Sequence, residues 1–545
     1  MITIFLFLIF YFFIYFVGRG YFNFFKYVAK DYFGIKSNIF YPIIGLFFIG
    51  NFSVIYNFFF RVNSLFFVLL TLIPFLYNLK KFDNLNKQSF NLNNLILYIA
   101  TPIILGISSL NTNLAYDAGL YHLNHQNWLR SSKIVFGLSN NHMRYGYSSI
   151  IEYINANFWL DNNFLILHFV NIIFLVVFFQ FIYLLLFTNH YKFGYAVLIY
   201  GFLDNFGFGG GKNGFIEIEA IGKQDSPFAI LFIISSFFLI CFLKEDKFLP
   251  KNYEINLLFT LTVFATQMRI LGAIAFLAFL IILLYKYKLY QTLTYFLNNS
   301  LLLIFFGFSF LIKNLITSSC LIYPVEISCF NSFKWSSQSG YSKAGVESDV
   351  LKNFHIALNK KNFFSWPELW LSKDINSVVI KNYSLTIFAI LFLLIITQKI
   401  FKEQKDVYLA VTFVYTAFSF LVWIVSAPGI RMGIGIFLTF VLFLSSVYKG
   451  ERKNSLKKKY YKSIITFYLI VVGLVPQLNN YFVLLENSNN LKIVDIKPEQ
   501  INYITNSSGY GVLPEVGDQC WINLDCVRNK NVLKDNYFSY IIFKD

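Results

Sequence analysis

The chain has 545 residues, of which 57% are hydrophobic and 13% charged, and its formal net charge at pH 7 is +17. A soluble globular domain carries about 25% charged residues, so the composition excludes an ordinary soluble enzyme. The apolar residues form continuous runs, whereas the strands of a membrane barrel are short and alternate apolar with polar residues. The sequence therefore predicts an all-α polytopic membrane protein.

The apolar runs predict about fourteen transmembrane helices, since a helix crosses a bilayer with roughly 17–25 residues. The first run has no basic residue before it and Arg19 after it, which is the wrong polarity for a cleaved signal peptide. We expect it to be a retained span with its N-terminus outside the cytoplasm. The predicted spans lie near residues 2–17, 40–59, 64–77, 95–110, 164–187, 195–206, 228–242, 255–266, 270–285, 300–312, 384–397, 407–425, 432–447 and 464–485.

The distribution of lysine and arginine predicts the orientation of these spans. Basic clusters recur at alternate ends of the runs, and the positive-inside rule places them in the cytoplasm. Such clusters at membrane borders do not support a nucleic-acid partner, which needs a basic face on a folded soluble surface. The opposite face then receives every polar segment. The basic clusters are residues 19–36, 80–87, 244–251, 286–288, 399–405 and 449–462.

The fourth predicted span leads into a long polar loop that carries Asp117, His122, His125, His142 and Arg144. A carboxylate held at a membrane surface among aromatic residues can have its pKa raised towards that of a general base. A turn-forming role for the same aspartate is the alternative, and both interpretations stay open. The three histidines and Asp117 also form a loosely spaced candidate metal site.

The segment 148–160 follows in the same loop and has apolar residues at helical spacing. Two structures fit this pattern. The segment forms either an amphipathic helix that lies flat on the membrane surface or an ordinary helix packed on the bundle.

Ionisable residues recur at later helix ends on the same predicted face. Asp225 precedes a proline where the chain re-enters the membrane, so it is either a helix cap or a catalytic acid. Lys223 stands beside it, and Arg269, Lys313 and Arg431 each mark another helix end. Such cations bind phosphate oxygens well, with snorkelling to lipid headgroups as the alternative.

The five cysteines fall into two close pairs and one apolar filler, Cys241. Cys320 and Cys329 share one polar loop, and Cys520 and Cys526 share the C-terminal tail. No histidine or further cysteine lies near either pair to complete a zinc site. We predict two disulfides, in an oxidising compartment such as the periplasm.

Several polar stretches, taken in order, resemble the GT-C superfamily of polyprenol-phosphate-sugar-dependent glycosyltransferases, and more specifically a family of uncharacterised bacterial multi-pass proteins of that type. The resemblance covers most of the chain, and the order of the stretches carries it. The stretches are YDAGLYHLNHQNWL, HMRYGYSS, GKQDSP, KNLITSSCLIYPVEISCFNSFKWS, APGIRMG and GDQCW.

This resemblance implies an inverting glycosyltransferase in which Asp117 is the loop acid that activates the acceptor hydroxyl. Asp225 matches a recurrent acid before a proline and is the second expected catalytic residue. The donor is a polyprenyl-phosphate-linked sugar, and the acceptor is a glycan or lipid. We expect no cofactor, because Asp117 stands alone where many relatives have an acid pair; a divalent cation is the alternative. The expected substrate-binding residues are His122, Arg144, Lys223, Arg269, Lys313 and Arg431.

The resemblance also divides the chain and places it in the cell. Residues 1–93 form N-terminal transmembrane helices, which are about three spans more than the superfamily usually has there. Residues 94–486 form a GT-C-like core with external loops 111–161 and 313–383, and residues 487–545 form a small periplasmic tail. We expect the bacterial inner membrane, with the active face in the periplasm.

A lipid-linked glycan flippase or an O-antigen-type polymerase is the alternative function. A transporter needs charged side chains facing a cavity at mid-membrane depth, and the predicted spans are nearly free of them.

Overall fold

The computed structural model describes residues 1–25, 31–32, 35–79, 91–188, 190–205, 220–244, 252–287, 289–336, 366–373, 407–426, 429–446, 461–486 and 493–544, with short pieces between 376 and 387. Over these residues the protein is a bundle of apolar helices with a polar assembly at one end. The membrane-protein class predicted from composition is therefore confirmed.

Six described helices are long and apolar enough to cross a membrane. The helix pair Tyr461–Leu474 and Leu478–Glu486, which is bent by 81°, gives a seventh span if it is counted as one. Five shorter apolar helices accompany them. The predicted count of fourteen is not confirmed by this set, and the predicted span at 384–397 lies almost wholly outside the described residues. The six are Ile2–Phe24 (α1), Ser37–Asn57 (α2), Leu92–Asn111 (α4), Leu165–Leu186 (α8), Asp225–Leu243 (α10) and Leu301–Ser318 (α14).

The remaining helices connect or flank these spans. They are Ser64–Leu79 (α3), Leu123–Ser131 (α5), Leu138–Asn141 (α6), Ile150–Asn155 (α7), Tyr191–Asn205 (α9), Asn252–Met268 (α11), Ala273–Lys286 (α12), Leu289–Asn299 (α13), Trp366–Leu371 (α15), Val407–Ser426 (α16), Ile430–Ser446 (α17), Tyr461–Leu474 (α18) and Leu478–Glu486 (α19).

Helices α8 and α10 form the centre of the bundle. In their most apolar 18-residue stretches, 94% and 100% of the residues are buried. Small residues allow other helices to approach closely, as is common between membrane helices. A Cβ on Gly18 of α1 would lie 1.7 Å from the carbonyl oxygen of Tyr41 in α2, and one on Gly435 of α17 would lie 2.9 Å from Cα of Ala229 in α10. These glycines fix the helix pairs that position the polar end.

The loop after α4 and the C-terminal segment build a second, smaller core at one end of the bundle, which we call the loop end (residues 112–164 and 493–544). Trp128 and Leu138 from the loop pack with Val527 and Phe543 from the C-terminal segment. Among the described residues, three antiparallel two-stranded sheets add strands to the predicted all-α fold, two of them in the C-terminal segment. The strands are Asp31–Tyr32 (β1), Ile35–Lys36 (β2), Tyr503–Thr505 (β3), Val512–Pro514 (β4), Leu533–Tyr537 (β5) and Tyr540–Lys544 (β6).

The amphipathic segment near 150 packs on the bundle and does not lie on its surface. Every residue of α7 is buried, and a Cβ on Gly50 of α2 would lie 2.9 Å from Cγ1 of both Ile150 and Ile154. Of the two structures that the sequence allowed, the packed helix is the one observed. It brings the loop end into direct contact with the spans.

Both predicted disulfides are confirmed, between Cys320 and Cys329 and between Cys520 and Cys526. Cys241 is a buried free thiol, as expected for an apolar filler.

Candidate functional site

Two polar segments that are far apart in sequence meet at the loop end. Leu114 and Ile221 form an isolated parallel bridge, in which the N–H of Ala115 donates to the Ile221 carbonyl at 2.8 Å. The bridge places the start of the Asp117 segment beside the segment that leads to Asp225. The structure therefore brings the two segments that carry the expected catalytic acids side by side.

Gly222 allows this close approach. Its φ of +93° lies in the left-handed region, and an added Cβ would lie 2.6 Å from Cβ of Ala118, the residue after Asp117. A side chain at this position would strain its own backbone and push the two segments apart.

Replacing Gly222 by alanine is expected to lower the free energy of unfolding by about 1–3 kcal/mol more than a matched Gly517→Ala change, because only the first creates a clash. Gly517 has a similar φ of +75°, but a Cβ added there would meet nothing within 4 Å. Thermal unfolding of both variants in detergent measures the difference. Equal losses would contradict the close approach of the two segments.

Asp117 lies just before a single π-helical turn, Ala118–His122, that continues into α5. Such turns insert an extra residue into a helix and occur frequently at functional sites. Oδ1 of Asp117 accepts a hydrogen bond from Nη1 of Arg144 at 3.1 Å, and each side chain is 28% exposed. The guanidinium of Arg144 also lies 5.4 Å from the ring centroid of Tyr121. Asp117 is therefore paired but remains accessible.

Asp225 lies in the first turn of α10, where a carboxylate interacts favourably with the helix dipole. It forms an ion pair with Arg269, the residue after α11. Its side chain is 8% exposed and that of Arg269 is 25% exposed. The sequence predicted both residues as part of the site but gave no reason to pair them.

A third charged group, Glu152, lies between these segments and was missed by the sequence analysis. Its carboxylate pairs with Nδ1 of His122 and accepts hydrogen bonds from Gln126, at 2.8 Å, and from Gln224. Gln224 also lies 3.1 Å from Nδ1 of His122. Burial alone would raise the pKa of Glu152, but the attraction of His122 outweighs it, so the pKa lies below its usual value.

Two more buried ionisable residues, Lys313 and His125, lie near this network. Lys313, in α14, is fully buried, donates to the carbonyl oxygen of Ser148 and lies 3.9 Å from the ring centroid of Phe310. His125 is 1% exposed, with Nε2 3.4 Å from Oγ of Ser148. Burial lowers the pKa of His125 to about 4. A phosphate contact by Lys313, as the sequence predicted, requires it to leave these buried partners.

The hydroxyl group of Tyr121 lies within electrostatic range of four of the charged groups. Burial is the largest cause that raises its pKa, and the charges of Asp117 and Glu152 raise it further while Arg144 and Arg269 lower it. The Asp117–Arg144 pair, Glu152 and Arg269 are therefore all close enough to act on one hydroxyl group. Together with Asp225 and His122, they form what we call the polar site.

The C-terminal segment covers the Asp117 side of the polar site. The N–H of Trp521 donates to the carbonyl of Gly119 at 2.8 Å, and a Cβ on Gly119 would lie 2.8 Å from the Trp521 ring. Nearby, the hydroxyl of Tyr116 donates to Asp518, which also pairs with Arg528 at 3.0 Å. The segments YDAGLYHLNHQNWL and GDQCW, noted in the sequence, are thus in contact.

Of the remaining predicted site residues, the structure describes Lys223 but not the side chain of Arg431. The carbonyl of Lys223 accepts a hydrogen bond from Asn171 at 3.4 Å, which anchors the backbone beside Asp225. The side chain of Arg431 lies outside the described residues, although its helix packs on α10 through Gly435. In the described part of the chain, no three His, Cys, Asp or Glu side chains converge on a position that would hold a metal ion.

The fold and the polar site define a polytopic helical membrane protein whose loops and C-terminal segment assemble one ionisable cluster at an end of the bundle. The chain belongs to the family described as Domain of unknown function (DUF8201), whose model matches residues 1–438. The matched range includes Asp117, Glu152 and Asp225. No curated protein and no solved structure matches the chain.

Proposed function

We propose that this protein is a membrane glycosyltransferase that moves a sugar from a polyprenyl-phosphate donor to a glycan or lipid acceptor. The observation that carries the proposal is that the segments bearing Asp117 and Asp225 are bridged at one end of an apolar bundle, with each carboxylate paired with an arginine. A lipid-linked donor needs this combination, because its chain lies among apolar helices while its phosphate and sugar lie at the polar boundary.

In the proposed reaction the acceptor oxygen attacks C1 of the sugar and the bond from C1 to the phosphate oxygen breaks. The acceptor proton goes to Asp117, whose side chain is 28% exposed beside its hydrogen bond from Arg144. The lipid phosphate leaves with the bonding electron pair, and the guanidinium of Arg269 or Arg144 stabilises its charge. The GT-C resemblance of the sequence supports the same roles.

Glu152 and His122 are positioning residues in this proposal. Their buried pair holds the π-helical turn that follows Asp117. Through Gln224, the residue before Asp225, it also holds the second acidic segment. One network thus fixes both acidic segments relative to each other.

Replacing Asp117 by asparagine is expected to abolish sugar transfer and to accumulate the lipid-linked donor, because the amide cannot accept the proton. Glycan and lipid-linked sugar analysis of cells that carry only the variant measures both effects. Asp161→Asn is the control, since Asp161 is an exposed acid of the same loop. Unchanged glycan with Asp117→Asn at normal protein level would contradict the proposal.

A flippase is the second candidate, and the full burial of Lys313 inside the span Leu301–Ser318 is the observation that favours it. A buried cation within a span is a functional feature in many transporters. A flippase moves the lipid-linked sugar without breaking the bond between C1 and phosphate. Product analysis with purified protein in proteoliposomes therefore separates the two: free lipid phosphate indicates transfer, and an intact relocated donor indicates flipping.

A further inference from the structure

The turn between β5 and β6 exposes aromatic side chains at a strained position. Phe538 has a φ of +52°, a left-handed conformation that bulky residues rarely adopt and that glycine or asparagine normally occupies in such turns. Its side chain is 88% exposed, and that of the preceding Tyr537 is 62% exposed. The turn therefore holds a ring in solvent at a conformational cost that a smaller residue would avoid.

Contacts place this turn at the end of a membrane span. The hydroxyl of Tyr540 donates to the carbonyl of Phe58 at 3.0 Å, and Phe58 directly follows α2, which ends at Asn57. Phe136 packs edge-on against Tyr540, with ring centroids 5.6 Å apart, and its N–H donates to the carbonyl of Ile541 at 3.0 Å. The hairpin is thus fixed to the bundle at the C-terminal end of α2, one of the six helices long and apolar enough to cross a membrane.

Other exposed apolar residues lie at the same level. Phe59 and Phe60, immediately after α2, are 58% and 57% exposed. Four residues later α3 begins, and its exposed face is apolar along its length, as expected of a helix that faces lipid. The residues on this face are Leu65, Val68, Leu69, Leu72, Ile73 and Leu76.

Basic side chains border the aromatic residues. Nζ of Lys133 donates to Oγ of Ser539 at 2.8 Å and lies 5.2 Å from the ring centroid of Tyr540. Arg61 is exposed just beyond Phe60. Aromatic rings with adjacent lysine and arginine are typical of the membrane interface, where the rings enter the headgroup region and the cations meet lipid phosphates.

We propose that the β5–β6 turn is a membrane-binding tip, in which Phe538 and Tyr537 insert into the headgroup region of the bilayer beside Phe59 and Phe60. The C-terminal segment is then held at the bilayer both by its contacts with the bundle and by direct contact with lipid. This inference does not depend on the proposed glycosyltransferase activity.

An environment-sensitive fluorophore on a cysteine at position 538 tests the proposal in the full chain. The background variant is Cys241→Ala, which removes the free thiol, so that the label reacts only with the introduced cysteine while the other four cysteines stay in disulfides. The protein is reconstituted in vesicles of phosphatidylethanolamine and phosphatidylglycerol. The label on Phe538→Cys is expected to show blue-shifted emission and quenching by lipids that carry a spin label near the headgroup. The same label on Val516→Cys is the control, since Val516 is apolar, 83% exposed and part of the same segment.

The expected result is a blue shift and quenching at position 538 and neither at position 516. A label at 538 that behaves like the label at 516 would overturn the proposal. Phe538→Gly supplies an independent check, because glycine relieves the left-handed strain. Its apparent melting temperature is expected to rise or stay unchanged in detergent, where no bilayer is present. A clear fall in detergent would show that Phe538 stabilises the protein itself, which also contradicts the proposal.

Discussion

Replacing Glu152 by alanine is expected to remove about 3–5 kcal/mol from the free energy of unfolding, since it leaves several buried polar side chains without the carboxylate that they bind. Glu152 is 2% exposed, and its partners His122, Gln126 and Gln224 are all buried. The loss should extend beyond α7, because these partners belong to two other segments: His122 and Gln126 to the π-helical turn and α5, and Gln224 to the stretch before α10. Thermal unfolding in detergent, followed by intrinsic fluorescence, measures it.

Glu152→Gln is the matched control for this experiment. The amide oxygen still accepts hydrogen bonds, while the charge that attracts His122 is gone, so a smaller loss of about 1–3 kcal/mol is expected. If the alanine and glutamine variants unfold at the wild-type temperature, Glu152 does not hold the loop end together. Gln126→Leu provides a further comparison, since it removes the Gln126 hydrogen bonds to the carboxylate and to Nε1 of Trp159 and leaves the His122 pair in place.

Acidification from pH 6.5 to pH 4 is expected to cost up to about 3 kcal/mol of stability through His125 alone. Burial lowers the pKa of His125 from 6.5 to about 4, against the opposing attraction of Glu152. Between these values the unfolded chain binds a proton that the folded protein does not, so stability falls as the pH falls. The lowered pKa of Glu152 also makes the protein less stable as the pH falls, because the unfolded chain binds a proton at Glu152 more readily than the folded protein does.

His125→Gln removes the titrating group and keeps an amide near Ser148. This variant is expected to lose some stability at pH 7.5 but to show a weaker decline between pH 6.5 and pH 4 than the wild type. Melting temperatures measured across this range in one buffer series report the difference. Parallel pH curves for the two proteins would show that His125 is not the buried neutral histidine described above.

The sequence predicted well those features that depend on local composition. Long apolar runs identified the membrane-protein class and the six long apolar helices of the described residues, although the total of fourteen is not confirmed. Two close cysteine pairs identified both disulfides. The meeting of the Asp117 and Asp225 segments was also expected, on the basis of a resemblance and a shared predicted face. Arg431 was expected at the same place, and that part of the prediction stays open.

The role of Glu152 was harder to predict. It stands three residues after Ser149, and this spacing is typical of a helix capping box, in which the glutamate would only bind the backbone at the start of its own helix. In the structure Ser149 does cap α7, but the carboxylate turns to His122, which is 30 residues earlier in the chain. Local patterns contain no information about a partner at that distance. A charged residue within an otherwise apolar helical segment was the one available signal.

The contact between Tyr116 and Asp518 joins residues 402 positions apart, which sets an order for maturation. A ribosome making this chain releases the Asp117 segment long before the stretch around Trp521. The site therefore remains open on one flank until that later stretch has been made and has reached the same side of the bilayer. A premature stop codon shortly before residue 518 would thus leave the spans intact and still yield a protein with an incomplete centre.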